Sequence, residues 1–398
     1  MSEVLEKRIL SIDKSDWTPI KLFNLAEEIS ERADNPGQSE YDRFVGLELF
    51  VSGDLKIKNW GSTKDLGSSM KVFKSGDILF ARRNAYLRRA SLVEFDGICS
   101  GDAFVLRENH EKIVPGFLAF VLNSDALWDY ANSNAAGTMS KRVKWRDLGE
   151  YDFLLPPIDQ QARLAELLWA ADDVIQSYER SYSKLAELRK NNFISKTDRA
   201  TEAVHGKNSV IRKINEISKV VRGASPRPSG SPKYFNGSFL PWVTVGMLTN
   251  HESPYLEKKD IQTYLTEEGA KHTRIIPPNT VLLSNSGFSL GVPRILQFEA
   301  GANDGVAAFL ELRDVKEEFL YYFLDSKTEV FRNEIAAGAD QPNLNTERIG
   351  NILIHVLPNE TQEQIVMEMS TIDKTIKEVR TSISASKQLQ KSLINQIF

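Results

Sequence analysis

The sequence has 398 residues, more than one hydrophobic core usually fills, so its length predicts at least two domains. An apolar fraction of 41% and a charged fraction of 26% exclude a largely disordered chain, and a single cysteine, Cys99, excludes an internal disulfide framework and a multi-cysteine zinc site. The net charge of -4 gives no global support to nucleic-acid binding but hides a segregation: residues 201–298 hold 12 Lys and Arg against 7 Asp and Glu, whereas residues 299–398 hold 10 against 16.

At the start, MSEVLEKRIL places Glu3, Glu6, Lys7 and Arg8 where a signal peptide needs an apolar stretch. No run of about 18 uncharged apolar residues follows, so a cytoplasmic chain with no membrane contact is expected. The segment 72–77 reads as a strand and turn, and Asp77-Ile78-Leu79-Phe80-Ala81 as a strand. Directly after it, Arg82, Arg83, Arg88 and Arg89 surround Tyr86. Four guanidinium groups in eight residues repel one another unless phosphates or guanine edges satisfy them, so the run is a candidate DNA contact. Residues 95–98 suggest another short strand, and 117–130 an amphipathic helix. A second basic group, Lys141, Arg142, Lys144 and Arg146 with Trp145, lies in GTMSKRVKWRDL.

Pro157 then precedes a long helix whose first turn carries Asp159, at the positive end of the helix dipole. Along it Leu164, Leu168, Ala171, Ile175, Tyr178, Tyr182 and Leu185 recur in alternating steps of four and three, the seam of a coiled coil. No Pro or Gly interrupts residues 159–197.

The second half repeats the first. At an offset of 201 residues Leu148-Gly149 falls on Ile349-Gly350, Pro157 on Pro358, Gln161 on Gln362, Asp172 on Asp373 and Ile175 on Ile376; with small shifts upstream, Asp102 meets Asp304. A period near 200 makes the unit a whole domain plus its connector. The second long helix carries the same seam at Ile365, Met369, Ile372, Ile376, Val379, Ile383, Ser386, Gln390, Leu393 and Ile397. Because a globular domain separates the two helices, they are expected to pair antiparallel.

The polar material of the second half is different: Arg222, Ser225, Arg227, Lys233, Tyr234, Asn285, Ser286, Ser289, and Gln341-Pro342-Asn343-Leu344-Asn345. Asn and Gln read adenine edges and Arg reads guanine, so two related domains lined differently would recognise different short sequences. The predicted fold class is mixed α/β (α+β): two globular recognition domains in tandem, joined by two long antiparallel coiled-coil helices. The boundaries read as 1–157, a spacer helix 158–200, 201–358, and a second spacer helix 359–398.

Catalytic vocabulary is missing. There is no phosphate loop, no G-x-G-x-x-G after a strand, no nucleophile elbow and no H-E-x-x-H, and the five histidines, His110, His205, His251, His272 and His355, have no metal-ligand spacing. Glu257-Lys258-Lys259 has the Glu-x-Lys of metal-dependent nucleases without an acidic partner upstream. No catalytic residue, metal ligand or cofactor is assigned to this chain, and Cys99 reads as a small buried hydrophobe.

Together these features resemble the specificity subunits of type I restriction-modification systems. The resemblance rests on the half-ends DFLLPPIDQQARLAELL and NILIHVLPNETQEQIVMEM, each leading into a long helix, and on RGASPRPSGSPKYF with PWVTV, LTEEGAKHTRIIPPNTVLLS and FKSGDILFARRNAYLRRASLVEFDGICSGD. It implies a non-catalytic subunit that binds a bipartite target in double-stranded DNA, one half-site per domain, and docks two adenine-N6 methyltransferase subunits and restriction or translocase subunits. S-adenosylmethionine would then belong to the methyltransferase, and ATP and Mg to a restriction subunit where one is present. DNA contact is implied for Arg82, Arg83, Tyr86, Arg88, Arg89, Lys141, Arg142, Lys144, Arg146, Ser225, Arg227, Asn285, Ser286 and Ser289. Subunit and helix packing is implied for Gln161, Leu164, Leu168, Ile175, Gln362, Ile365, Ile372, Ile376, Val379 and Ile383. Alternatives are the specificity subunit of a type IIB-like fused nuclease-methyltransferase, an enzyme acting on DNA with diverged motifs, and a coiled-coil scaffold without a DNA role.

Overall fold

The computed structural model describes residues 12–203, 210–287, 290–335 and 344–398. The chain divides into two compact units, Met1–Arg180 with Arg380–Phe398, and Ser181–Val379. Each takes in part of both long helices, Ile158–Ala203 and Asn359–Ile397.

In the first unit the strand Thr18–Lys21 pairs antiparallel with Asp152–Leu155 and closes the domain at the root of the long helix. A four-stranded antiparallel sheet has the order Ala26–Glu28, Ala103–Glu108, Ile78–Ala81, Ala90–Leu92. A five-stranded sheet follows as Arg32–Ala33, Met70–Phe73, Gly97–Cys99, Arg43–Val45, Gly61–Ser62, with its one parallel pairing between Arg43–Val45 and Gly97–Cys99. The apolar run Ile78–Ala81 is buried throughout because both of its faces are covered. Ile78 and Phe80 point into the core shared with the helices, where Phe80 stacks on Trp128 at 4.7 Å, while Leu79 points into the core of the five-stranded sheet. The helix expected over 117–130 is broken into Leu118–Val121 and Asp125–Ser133. The Ser124 hydroxyl accepts from the Leu127 N–H and caps a new start.

The second unit has corresponding elements. Val210–Lys213 pairs with Leu353–Val356. A five-stranded sheet runs Lys219–Arg222, Val306–Leu310, Thr280–Ser284, Pro293–Leu296, Tyr255–Leu256, and a four-stranded one runs Tyr264–Leu265, Phe235–Val243, Ala300–Ala302, Ile275–Ile276. The parallel pairing recurs, Trp242 opposite Gly301 and Val243 opposite Ala302, as Phe44 faces Ile98 and Val45 faces Cys99. Val281 and Leu283 face the helical core and Leu282 the other. The fold is the expected mixed α/β repeat, with strands and helices that do not alternate.

Within each unit the long helices run antiparallel. In the first, Gln390 reaches Asp172 and Lys387 reaches Glu179; in the second, Arg189 reaches Asp373 and Lys196 reaches Glu368. None of the predicted seam residues in either helix is exposed. Phe398 packs edge-on against Phe117 and Phe153 in the first unit, beside Leu393, Ile394 and Ile397. Phe193 lies against Phe319 and Tyr322 in the second.

The helices are fastened to their domains by the two glutamines that the repeat aligns. Gln161 accepts from Val114 N–H and donates to the Pro156 carbonyl, both at 2.9 Å. Gln362 accepts from Lys316 N–H at 2.9 Å and donates to the Leu357 and Asp314 carbonyls. Both are buried, and their hydrogen bonds go to loops of their own unit.

Candidate nucleic-acid interface

The strand Ile78–Ala81 leaves the core at Ala81, and the chain then turns through Asn84 and Arg88, both left-handed (φ 56° and 49°), with a single 3-10 turn Ala85–Leu87 between them. This turn divides the arginine run. Arg82 and Arg83 stay beside the loop that carries the second basic group: Asn84 N–H donates to the Lys141 carbonyl and Val143 N–H to the Arg82 carbonyl, both at 2.9 Å. Arg82 and Arg83 therefore share one surface with the second basic group.

Asp102 lies at its centre. Its carboxylate accepts two hydrogen bonds from the Arg142 guanidinium, at 2.8 and 3.1 Å, and lies 3.5 Å from Arg83 Nη1 and 3.9 Å from Arg82 Nε. Arg142 holds the Asp102 carboxyl below the usual carboxylate range against the opposing effect of burial, and Asp102 raises Arg142 in turn. Around this group Tyr86, Lys141 and Lys144 are exposed, and Met139 is 96% exposed. Lys141 and Lys144 form no ion pair among the described residues. Arg146 pairs with its neighbour Asp147 at 3.0 Å.

Two arginines fall outside this surface. Arg88 turns to Asp125 and Asp129. The Arg89 guanidinium donates to the Leu47 and Arg83 carbonyls, and burial pushes its pKa down. The run of four is thus a pair at the surface and a pair committed to the domain, a division made by the left-handed turn.

In the second unit the corresponding hydrogen bonds identify the equivalent residue. Asn285 N–H donates to Gly305 O and Leu344 N–H to Asn285 O, as Arg82 N–H donates to Asp102 O and Val143 N–H to Arg82 O. Asn285 takes the place of Arg82. Contrary to the expected DNA contact, it is 0% exposed, and neither polar atom of its side-chain amide has a partner among the described residues. Ser286 is half-buried. Asp304 is again a hub: its carboxylate accepts from Ser225 N–H at 2.8 Å and from Arg227 Nη2 at 2.9 Å, and its carbonyl accepts two hydrogen bonds from Arg222. Ser289, His205 and Gln341-Pro342-Asn343 lie outside the described residues.

The groups set aside as chemistry have structural partners. Glu257 caps a 3-10 turn reciprocally with Asp260 and pairs with Lys259. His110, His251 and His272 lie beside Glu108, Asp260 and Glu268. Burial pushes the Cys99 thiol up to about 12. Among the described residues no cluster of three or more His, Cys, Asp or Glu is placed to hold a metal ion, and no helix is long and apolar enough to cross a membrane.

Missed at the sequence level were Asp102 and Asp304 as the centres of the two surfaces. The sequence repeat set them opposite each other, whereas the hydrogen bonds put Gly305 in the place of Asp102, and nothing in the local sequence marks a carboxylate as the partner of arginines 40 and 77 residues away.

The fold and the site define a tandem repeat of mixed α/β domains with long helices, each domain with a loop-borne arginine held by a carboxylate. Comparison with known proteins carries this further. Residues 206–385 match the family described as type I restriction modification DNA specificity domain. Among curated relatives, the type I restriction enzyme MjaIX specificity subunit of Methanocaldococcus jannaschii is 28% identical over 169 residues, covering 42% of this chain and 38% of the relative. The type I restriction enzyme EcoDI specificity subunit of Escherichia coli is 25% identical over 143 residues, 35% of this chain and 29% of the relative. These matches thus span about a third of the length of each relative. A solved chain from a study of complex assembly and conformational transition of the type I R-M system shares the fold, with a TM-score of 0.53 at 21% identity over 96% of this chain and 97% of that one. The chain is similar to the specificity subunits of type I restriction enzymes, as its sequence indicates, and the match to their DNA specificity domain lies in its second half.

Proposed function

We propose that this chain is the DNA-specificity subunit of a type I restriction-modification complex in the cytoplasm. Each unit reads one half of a two-part target in double-stranded DNA. The paired helices dock two adenine-N6 methyltransferase subunits, and restriction or translocase subunits join them. Catalysis and its cofactors, S-adenosylmethionine for methylation and ATP with Mg for restriction, belong to those partner chains.

The observation that carries this reading is the repeated hub. In both units an aspartate near the end of a buried strand holds a loop-borne arginine, yet that arginine is Arg142 in one and Arg227 in the other, on loops from different parts of the chain. Equivalent scaffolds with different polar linings are what two different half-sites require, since base edges are distinguished by donor and acceptor pattern.

The test is the adenine-methylation pattern of host DNA by single-molecule sequencing, with and without this gene. A two-part motif with a fixed gap that vanishes on deletion is expected. An unchanged pattern in a host whose methyltransferase co-purifies with this chain would overturn the reading.

A further inference from the structure

Asp102 is an unusual residue to find at the centre of a surface meant for DNA. A carboxylate there removes one charge from the cluster and competes with phosphate for the same donors. Yet its side chain is 19% exposed and it engages Arg142 through both Nε and Nη2, a fork that fixes the plane of the guanidinium as a single ion pair does not.

In the second unit the hydrogen bonds that equate Asn285 with Arg82 put Gly305 in the place of Asp102, and Asp304, one residue earlier, bonds an arginine that comes from elsewhere in the chain. Arg142 stands in the loop before the long helix, whereas Arg227 follows the first strand of its sheet, and Arg222 adds two bonds to the Asp304 carbonyl. A carboxylate thus stands within one residue of the same point in both units, with different cationic partners.

We propose that Asp102 and Asp304 are positioning residues that set specificity: Asp102 holds Arg142 in a fixed plane through its fork, Asp304 holds Arg227 through a single bond, and each withholds that charge from phosphates of non-target DNA. This rests on the DNA-specificity reading above. Discrimination is a difference between two affinities, and a carboxylate that must be displaced or matched penalises every duplex that offers only a backbone. A base edge presenting two acceptors meets donors already oriented, whereas a phosphate must first compete with the carboxylate.

The experiment uses the full chain assembled with its modification subunits. Affinity is measured on the duplex that the wild-type complex selects from a random pool and on a scrambled duplex of equal composition, each over a range of salt. Asp102→Asn is expected to tighten scrambled binding by about tenfold and to steepen its salt dependence by about one phosphate contact. Target binding should stay unchanged or weaken, so discrimination falls. Arg142→Ala in the Asp102→Asn background should abolish the added scrambled binding, and Asp102→Glu should restore discrimination. Asp304→Asn should act in the same way through the other half-site, and stands in if Asp102→Asn does not fold. Parallel losses on both duplexes, or unchanged scrambled affinity and salt slope, would overturn the proposal while leaving DNA recognition intact. A wild-type complex that prefers no duplex would overturn the DNA-specificity reading, and this inference with it.

Discussion

At the scale of single residues, charge is arranged by the turn more than by the run. Arg82 and Arg88 are six positions apart, but left-handed backbone at Asn84 and Arg88 sends one guanidinium towards Asp102 and the other to Asp125. Asn tolerates that conformation and Arg seldom adopts it, so the sequence announces half of the turn at best. Asp102 also makes the first unit sensitive to acid. Its folded carboxyl titrates below the ordinary range, chiefly through the Arg142 hydrogen bonds, so the unfolded chain binds the proton first. The contribution is fully present above the unfolded value near pH 4 and is lost as pH falls through the depressed value. Denaturant titrations between pH 7 and pH 3 should therefore show a loss of first-unit stability that Asp102→Asn flattens at the acid end. An unchanged acid slope in the variant would show that Asp102 does not supply this term.

At the scale of elements, the long helices were legible because a heptad seam is a strictly local signal, repeated ten times in one helix and seven in the other. The polar layers inside the seam were not, since their partners come from distant segments. The repeat makes them comparable: Asp172 and Asp373 are 201 residues apart, and so are Arg189 and Gln390. In the first unit Asp172 accepts from Gln390 and Gln176, neutral donors, at 3.2 and 2.6 Å. In the second, Asp373 meets Arg189, which also donates to Asp325 at 2.8 Å, while Tyr322 donates to Asp373 at 2.6 Å. The two aspartates have equal places and unequal partners. Removing a cation from between two carboxylates costs more than removing an amide, because it leaves buried charge uncompensated. Arg189→Met should destabilise the second unit by about 3–5 kcal/mol in chemical denaturation, and Gln390→Met the first by about 1–3 kcal/mol. Equal costs would show that Arg189 is not the element that balances this layer. The glutamines Gln161 and Gln362 carry the complementary lesson: their alignment was visible in sequence, but that they bond Val114 and Lys316 of their own domains depends on loops about 47 residues away.

At the scale of the whole molecule, the repeat in sequence is not the unit of folding. The first unit is made of two separated stretches, because Arg380–Phe398 closes a core that begins at the other end of the chain. Leu393, Ile394 and Ile397 are nearly or fully buried there, Phe398 sits on Phe117 and Phe153, and Lys14 donates to the Ile397 carbonyl. The second unit is one continuous stretch, Ser181–Val379, with its own cluster around Phe193, Phe319, Ile365 and Met369. Buried aliphatic and aromatic side chains contribute about 1.5–3 kcal/mol each, so losing four removes an amount comparable to the whole stability of a typical domain. A chain ending at Val379 should therefore lose amide protection across residues 12–180 in hydrogen exchange while residues 210–379 keep theirs. Asp125 adds a local marker, because its N–H and carboxylate are both bonded by Asn395, so the start of helix Asp125–Ser133 should exchange early. If protection were lost evenly across both units, the chain would fold as one cooperative body rather than two.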